Sequence, residues 1–515
     1  MTASQPVHRT DVIIVGAGIS GIGAAVQLGQ QCPGKSFVVL EALESFGGTW
    51  LVHKYPGIRS DSDLYTFGYR YKPWTGQPIA TRAEILRYLG ETIDEFGVAD
   101  RFRYGRKVLS AAWSSAENAW TLTVANTAEG TTETYVANFL WSCQGYYRHE
   151  RGHTPEWPGF DSFAGEVIHP QTWPEDADLA GKRVVCIGSG ATAATLIPSI
   201  ADTCAHITLL QRSPTFFTIG RNTDERAREL FAQGLSEMEV FHQLRAERLE
   251  GARVLAERSF NDVENLRRDL IDGVRKYLPE DLVEAHFQPR YKPWQQRIAF
   301  IPDADMMEAF AQGRASVVTD QIDHFTPDGI QLQSGQFLPA DVVITATGFD
   351  MAVMPGVPFT VDGAPVDWSQ TISYRGTMFA GVPNLAWVMG YFRGSWTLRV
   401  DLLCDFICRL LQRMDRLGAA RVDVRPTPED DALPRKDWMD LDVFNPGYLQ
   451  RALPHLPRRL DTPRWRHTQD YQADLVDLPA VTFEEPEFIY TAAASGAAPG
   501  GHPGGKASAA APAEA

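Results

Sequence analysis

Cysteine is scarce. Six thiols stand in 515 residues, at Cys32, Cys143, Cys186, Cys204, Cys404 and Cys408, with no Cys-x-x-Cys pair and no histidine-rich neighbour. That scatter excludes a disulfide framework and a thiolate metal site, so no metal is expected, and it fits reduced thiols in a cytoplasmic protein. Long apolar runs are also missing. No stretch reaches the roughly 18 residues of a membrane-spanning helix, so no transmembrane segment is expected. The segment VIIVGAGISGIGAAV at 12–26 has the apolar character of a signal-peptide core, but Asp11 adjoins it and glycine breaks it at 16, 18, 21 and 23. No basic start and no cleavage site frame it. Positive charge is in deficit, with 48 Lys+Arg against 64 Asp+Glu and a formal charge of −16. Such a surface repels phosphate backbones and argues against nucleic-acid binding, while leaving room for one local basic pocket.

What is present is a large globular composition, 44% apolar and 22% charged. At about 150 residues per domain, the length allows roughly three domain-sized units. A β-branched run at Val12–Val15, a glycine-rich turn, a helical stretch and a strand at Ser36–Leu40 form one βαβ unit. The order returns about 170 residues later, with a strand at Arg183–Ile187, a second glycine turn at Gly188–Ala193 and a closing strand at Ile207–Leu210. The expected fold class is therefore α/β, with two Rossmann-like dinucleotide-binding domains and a helical insertion. Strands are expected within 106–142, notably Trp120–Val124 and Tyr135–Trp141, and again within 316–349, closing at Asp341–Thr345. Residues 223–285 are charged and helical in period, and are expected to be a solvated insertion with one buried stripe through Leu230, Leu235, Val240, Leu244, Leu249 and Val254. Residues 398–416 read as an amphipathic helix that packs on the core. The tail from Thr491 to Ala515 is nearly all Ala, Gly, Pro and Ser, too poor in apolar surface to order itself.

The first glycine turn, Gly16-Ala17-Gly18-Ile19-Ser20-Gly21, fits G-x-G-x-x-G and has the required context of strand before and helix after. Its glycines let the backbone approach a pyrophosphate, and the helix N-terminus offers free N–H groups to that anion. Glu41, 20 residues beyond Gly21, ends the next strand and can accept from ribose hydroxyls. Gly47-Gly48-Thr49-Trp50 follows, a glycine pair associated with FAD-binding two-dinucleotide folds. A disulfide reductase would carry redox cysteines here, and none is near. The second turn, Gly188-Ser189-Gly190-Ala191-Thr192-Ala193, is G-x-G-x-x-A. Its closing strand ends not in a carboxylate but in Gln211-Arg212-Ser213. Arg212 can take a 2′-phosphate in a bidentate way and Ser213 can add a hydrogen bond. The first site therefore reads as FAD and the second as NADPH.

Between them, Phe163 to Trp173 matches F-x-G-x-x-x-H-x-x-x-W, with Pro174 next. With this signature, YPGIRSDSDLYTFGY at 55–69 and TATGFD at 345–350, the chain resembles the class B flavoprotein monooxygenases, and within them the Baeyer–Villiger monooxygenases. The nearest branch in appearance is the bacterial ethionamide-activating type. The resemblance spans about residues 10–415. It implies hydride transfer from NADPH to FAD, a peroxide formed at flavin C4a from O2, and attack on a ketone to give an ester or lactone, with sulfide oxidation alongside. Small-molecule ketones or sulfides and O2 are the implied partners; oligomeric state is not encoded in any motif. It implies Arg297 as the cation beside the reacting oxygens and Asp61 as the carboxylate that orients it. It further implies flavin contacts at Ser20, Gly48, Thr49, Trp50, Arg59, Ser60, Asp61 and Val108. His169 of the signature is implied to tie the two nucleotide domains together. Gln296 departs from the pattern, because many family members carry lysine there to hold the NADP phosphate, which leaves Arg212 and Ser213 to do so. The pocket is expected around Trp50, Trp294, Trp396 and residues 351–395.

The implied organisation is an FAD-binding domain in two pieces (1–145 and 346–490), an NADPH-binding domain in two pieces (146–222 and 289–345), the insertion at 223–288, and a disordered tail at 491–515. Two other readings stand beside this one. A sulfur or nitrogen oxygenase would use the same cofactors, and a nucleotide-binding protein without turnover would keep the glycine turns without the chemistry.

Overall fold

The computed structural model describes residues 6–492. The first sheet begins with β1 (Val7–Val15), α1 (Ile19–Gln31) and β2 (Phe37–Leu40). Val12, Ile13 and Ile14 are fully buried, as expected of a strand covered on both faces. β3 (Phe102–Arg103) extends the sheet beyond β2. The antiparallel strands β4 (Arg106–Ser114), β5 (Ala119–Asn126) and β6 (Thr131–Ser142) then bring the chain back to the other flank of β1. The strands read at 120–124 and 135–141 lie inside β5 and β6.

The second sheet is wholly parallel. It uses β7 (Glu166–Ile168), β8 (Arg183–Ile187) and, after α2 (Ala191–Ile200), β9 (His206–Gln211). Four helices follow, α3 (Glu225–Ala232), α4 (Glu237–Asn261), α5 (Val263–Arg275) and α6 (Glu280–His286). β10 (Ala315–Thr319) and β11 (Val342–Thr345) complete the order β10-β9-β8-β11-β7. Two βαβ modules in one chain bear out the expected α/β class.

The two modules repeat one junction. In the first, Val15 at the end of β1 lies beside Ser142 at the end of β6; in the second, Ile187 lies beside Thr345. The chain passes between sheets directly after each pair. Past these points, 147–152 and 349–351 pair as an antiparallel ribbon. The signature imidazole of His169 sits at this ribbon. Its Nε2 is 3.2 Å from the Gly348 carbonyl, and a Cβ on Gly152 would fall 1.8 Å from its ring.

The helical insertion departs from the expected single stripe. Leu230, Val240 and Leu244 are buried in the first core, but Val254 is 41% exposed. The reason is reach: α4 leaves the first core before Val254, and the chain joins the second core mainly beyond α4, through Leu266, Leu270, Ile271 and Val274 of α5 and Val283 of α6. The insertion thus fastens both cores. Returning to the first sheet, β12 (Leu385–Trp387) pairs with β6. α7 (Trp396–Leu417) packs against the core through Val400, Leu403, Phe406, Ile407 and Leu410, as the amphipathic reading anticipated. β13 (Ala419–Val424), α8 (Tyr471–Ala480) and β14 (Phe488–Ala492) close the described chain. Here the tail reading needs correction at its first two residues. Thr491 and Ala492 are strand residues, opposite Arg421 and Ala419 of β13. Backbone pairing holds them, and that needs no apolar side chain. The remainder, 493–515, lies outside the described residues.

Candidate active site

Both glycine turns are built by close approach. At Gly16, with φ +100°, a Cβ would lie 2.6 Å from the Cys143 carbonyl oxygen. At Gly188, with φ +112°, it would lie 2.4 Å from the Ala346 carbonyl oxygen. Each motif's first glycine therefore seats the chain segment that leaves its sheet. Gly21 packs its helix on the turn, since a Cβ there would collide with the Gly16 carbonyl. Gly48 lies against Gly18, where a Cβ would come within 2.9 Å of the Gly18 Cα. This contact draws the short helix Thr49–Val52 up to the first turn. Arg82 holds the end of that helix by donating to the carbonyls of Trp50 at 2.6 Å and Leu51 at 3.3 Å.

The N-termini of α1 and α2 are uncapped. Gly18 and Gly190 occupy their N-cap positions, and neither helix has an acidic residue in its first turn. By contrast, the helix Arg82–Glu95 and α4 each begin with a complete capping box. The first N–H groups of such a helix, with no side-chain acceptor, are left to water or to a bound anion, which makes each start a ready anion site. Glu41 lies beside the first turn, buried, with one carboxylate oxygen 2.6 Å from the Ala17 amide and the other 2.9 Å from the Leu43 amide. Burial raises its pKa, and these amides oppose the shift.

A cavity of about 640 Å³ runs from this cradle. Gly16, Gly18, Ser20, Glu41, Gly48, Thr49, Trp50 and Val108 line it, together with Asp61, Arg297 and Trp396. Ala191 and Thr192 at the start of α2 open into the same space. Ser20 accepts from the indole N–H of Trp396 at 2.7 Å. Arg297 and Asp61, 236 positions apart in sequence, meet as an ion pair with Nη2 2.8 Å from Oδ2. A second guanidinium nitrogen, Nη1, donates to the Phe392 carbonyl at 3.1 Å. Burial works to lower the Arg297 pKa, but Asp61 and the hydroxyls of Tyr146, Tyr448 and Tyr147 outweigh it and raise the pKa further. The result is a permanent cation on the cavity wall. The three tyrosines themselves are raised by burial and stay neutral. His53, on the same wall, is brought down to about 4 by burial and by the neighbouring His149 and His169, and is neutral as well.

Other residues singled out in the sequence lie elsewhere. Arg59 lines the cavity, but its guanidinium grips Asp305 at 2.5 and 3.2 Å and so joins the two modules. Ser60 is buried beside Ala80, its hydroxyl accepting from the Ala80 amide at 3.2 Å and its own amide donating to the Ala80 carbonyl at 2.8 Å. Gly21 and Ala193 sit behind the turns rather than on the cavity wall. Ser189 bonds Thr215 through its hydroxyl at 2.8 Å. Arg212 and Ser213 are exposed, and among the described residues no hydrogen bond or ion pair engages the Arg212 guanidinium. Gly190 has open space where a Cβ would be. Trp294 belongs to the second core and not to the cavity, so the pocket expected around it needs correction.

A family model described as pyridine nucleotide-disulphide oxidoreductase matches residues 10–271. The FAD-containing monooxygenase EthA of Mycolicibacterium smegmatis is 45% identical over 471 residues, spanning 90% of this chain and 94% of the relative. EthA of Mycobacterium tuberculosis is 42% identical over 471 residues, spanning 91% and 95%.

This chain belongs to the FAD-containing monooxygenases.

The structure of an oxidized steroid monooxygenase bound to NADP shares the fold, with a TM-score of 0.73 at 21% identity over 94% of this chain and 100% of that one. Membership agrees with the missing redox cysteines: all six thiols are free, and none stands near Gly47–Trp50. Sequence reading missed the aromatic wall. Tyr146 and Tyr147 stood directly after the first crossing and could have been suspected for that reason. Tyr448 and the Phe392 carbonyl carried no local signal at all.

Proposed function

We propose that this chain binds FAD at the first glycine turn and NADPH at the second, and oxygenates a ketone to an ester or lactone. The overall reaction would take ketone, O2, NADPH and a proton to ester, NADP+ and water. The residues fit both nucleotides. The uncapped N-terminus of α1 and the Gly16–Gly18–Gly48 cradle would hold the FAD pyrophosphate, with Glu41 toward the ribose. The uncapped N-terminus of α2 would hold the NADPH pyrophosphate, and the unpaired Arg212 would meet the 2′-phosphate. When bound, the flavin supplies electron transfer from the nicotinamide to dioxygen, and so the oxygen atom for insertion.

The protein's own part is electrostatic. Negative charge must develop on the reacting oxygens as oxygen reaches a carbonyl, and a fixed cation in a water-poor site stabilises it. Arg297 supplies that cation without a proton to lose. Asp61 and the Phe392 carbonyl each occupy one side of its guanidinium and fix where the remaining donors point. Tyr146, Tyr147, Tyr448 and Trp396 pack the wall and keep water out. The carrying observation is the Arg297–Asp61 pair in the one cavity that both helix N-termini open into. The test is product analysis. Purified holoenzyme with NADPH and 18O2 should return one labelled ester per NADPH from a cyclic or linear ketone. NADPH consumption that ends only in hydrogen peroxide across a ketone and sulfide panel would reject the reading.

A further inference from the structure

The segment that holds Arg297 is itself held by a stretch near the end of the described chain. Residues 389–392 carry the Phe392 carbonyl, and 467–474 lie alongside them. Gln469 bridges this segment with its side-chain amide. Its Oε1 accepts from the Phe392 N–H at 2.8 Å, and its Nε2 donates to the Gly390 carbonyl at 3.3 Å. One primary amide thus copies the donor–acceptor pair that a neighbouring strand would offer. The backbone of Gln469 is in the left-handed region, φ +55°, which a residue with a Cβ adopts only when its surroundings require it. Here that turn brings the side chain onto 390–392.

Two further ties fix the same segment. Tyr391 donates to Asp474 at 2.7 Å, and Asp474 also pairs with Arg399 at 2.9 Å. Arg399 in turn donates to the Met389 carbonyl at 2.9 Å. His467 lies 3.3 Å from that carbonyl through Nε2, and its Nδ1 accepts from the Gln469 amide at 3.1 Å. These ties hold Met389 and Tyr391. Among the described residues, only Gln469 bonds the N–H of Phe392, the residue whose carbonyl, one peptide further on, meets Arg297.

We propose that Gln469 is a positioning residue for oxygenation: it anchors the Phe392 backbone at its N–H, and so, across the Phe392 Cα, the carbonyl that sets the direction in which Arg297 presents its charge. The inference rests on the role given to Arg297 above. Gln469 is not among the residues that line the cavity, so its removal should act on the fate of oxygen and not on nucleotide binding.

The experiment compares four holoenzymes with wild type: Gln469→Met, Gln469→Glu, Arg297→Lys and the Gln469→Met/Arg297→Lys double variant. For each, FAD content, NADPH KM, thermal midpoint and the ratio of ester to hydrogen peroxide are read. Methionine keeps the length and loses both hydrogen bonds; glutamate keeps the acceptor for the Phe392 N–H. Gln469→Met should lower the ester-to-peroxide ratio at least about tenfold, since small misplacements of a catalytic group cost this much or more. Its FAD content and NADPH KM should stay at wild-type values. Gln469→Glu should recover part of the ratio, and the double variant should be no worse than Arg297→Lys alone. If Arg297→Lys uncouples but Gln469→Met does not, or if the two losses multiply, the inference on Gln469 fails while the reading of Arg297 stands. If Arg297→Lys itself couples normally, the functional reading fails first. Should Gln469→Met not fold, Gln469→Glu is decisive: a ratio no different from wild type, or FAD loss in place of uncoupling, overturns the proposal.

Discussion

Alanine at Gly188 should damage the NADPH site from behind while sparing the FAD site. The strain can be worked from the turn. A Cβ at Gly188 would stand 2.4 Å from the Ala346 carbonyl oxygen, whereas ordinary contact starts near 3.4 Å, so something must move by about 1 Å. The mover has to be backbone, because the obstacle is a carbonyl at the chain crossing. Forcing an L-residue to positive φ costs about 1–2 kcal/mol. Displacing packed structure costs about 1–3 kcal/mol more. A total of about 2–5 kcal/mol that is relieved by deforming the turn converts to a rise of at least about 25-fold in NADPH KM. Gly190→Ala is the matched control. Its Cβ would meet no protein atom within 4 Å, so that variant should fold with an unchanged thermal midpoint and lose NADPH affinity only through contact with the nucleotide itself. The assay is NADPH-dependent flavin bleaching under anaerobic conditions, with FAD absorbance and the thermal midpoint measured on the same samples. Wild-type NADPH KM in Gly188→Ala, or FAD loss from it, would refute the reasoning.

Three other outcomes follow from the same geometry. Arg212→Ala should raise the NADPH KM by about 10- to 150-fold, the value of a charge-assisted hydrogen bond, and leave the NADH KM unchanged; an equal rise for both cofactors would place the 2′-phosphate elsewhere. Asp474→Asn leaves Arg399 buried without its partner and should cost about 3–5 kcal/mol of stability, read as a lower unfolding midpoint in denaturant. Burial tends to raise the Asp474 pKa, but Arg399, His467 and Tyr391 outweigh it and depress it. A depressed carboxylate stabilises the fold above its unfolded pKa and loses that contribution as pH falls through its folded value. The wild type should therefore lose stability below about pH 4 more steeply than Asp474→Asn does, and parallel acid limbs would contradict the assignment.

How far the site could be read in advance depended on distance along the chain. Gly16, Gly18, Gly21 and Glu41 lie within 26 residues, and their roles in a strand–turn–helix unit follow from local geometry. The same holds for Gly188, Gly190 and Arg212. Asp61 and Arg297 are single members of common residue types, and nothing but family resemblance paired them; the 2.8 Å contact supplies what spacing could not. The Phe392 carbonyl, Gln469 and Tyr448 were out of reach, because a backbone acceptor has no sequence signature and a left-handed glutamine cannot be told from any other. The insertion was legible as a solvated helical segment, but its single buried stripe was carried too far, to the exposed Val254. Its charged faces dominate its composition, while its attachment depends on which core each half meets. The paired Thr491 and Ala492 show the opposite limit, where composition argued against order that backbone hydrogen bonding provides.

The central claim is that Arg297, aimed by Asp61, directs activated oxygen to substrate. The most direct test measures how much consumed NADPH is recovered as ester in Arg297→Met, with bound FAD and anaerobic flavin reduction measured alongside. Flavin reduction should proceed normally, ester formation should fall by about 10²–10³-fold, and the electrons should leave as hydrogen peroxide. Ester formation at the wild-type rate in a flavin-replete Arg297→Met enzyme would contradict it.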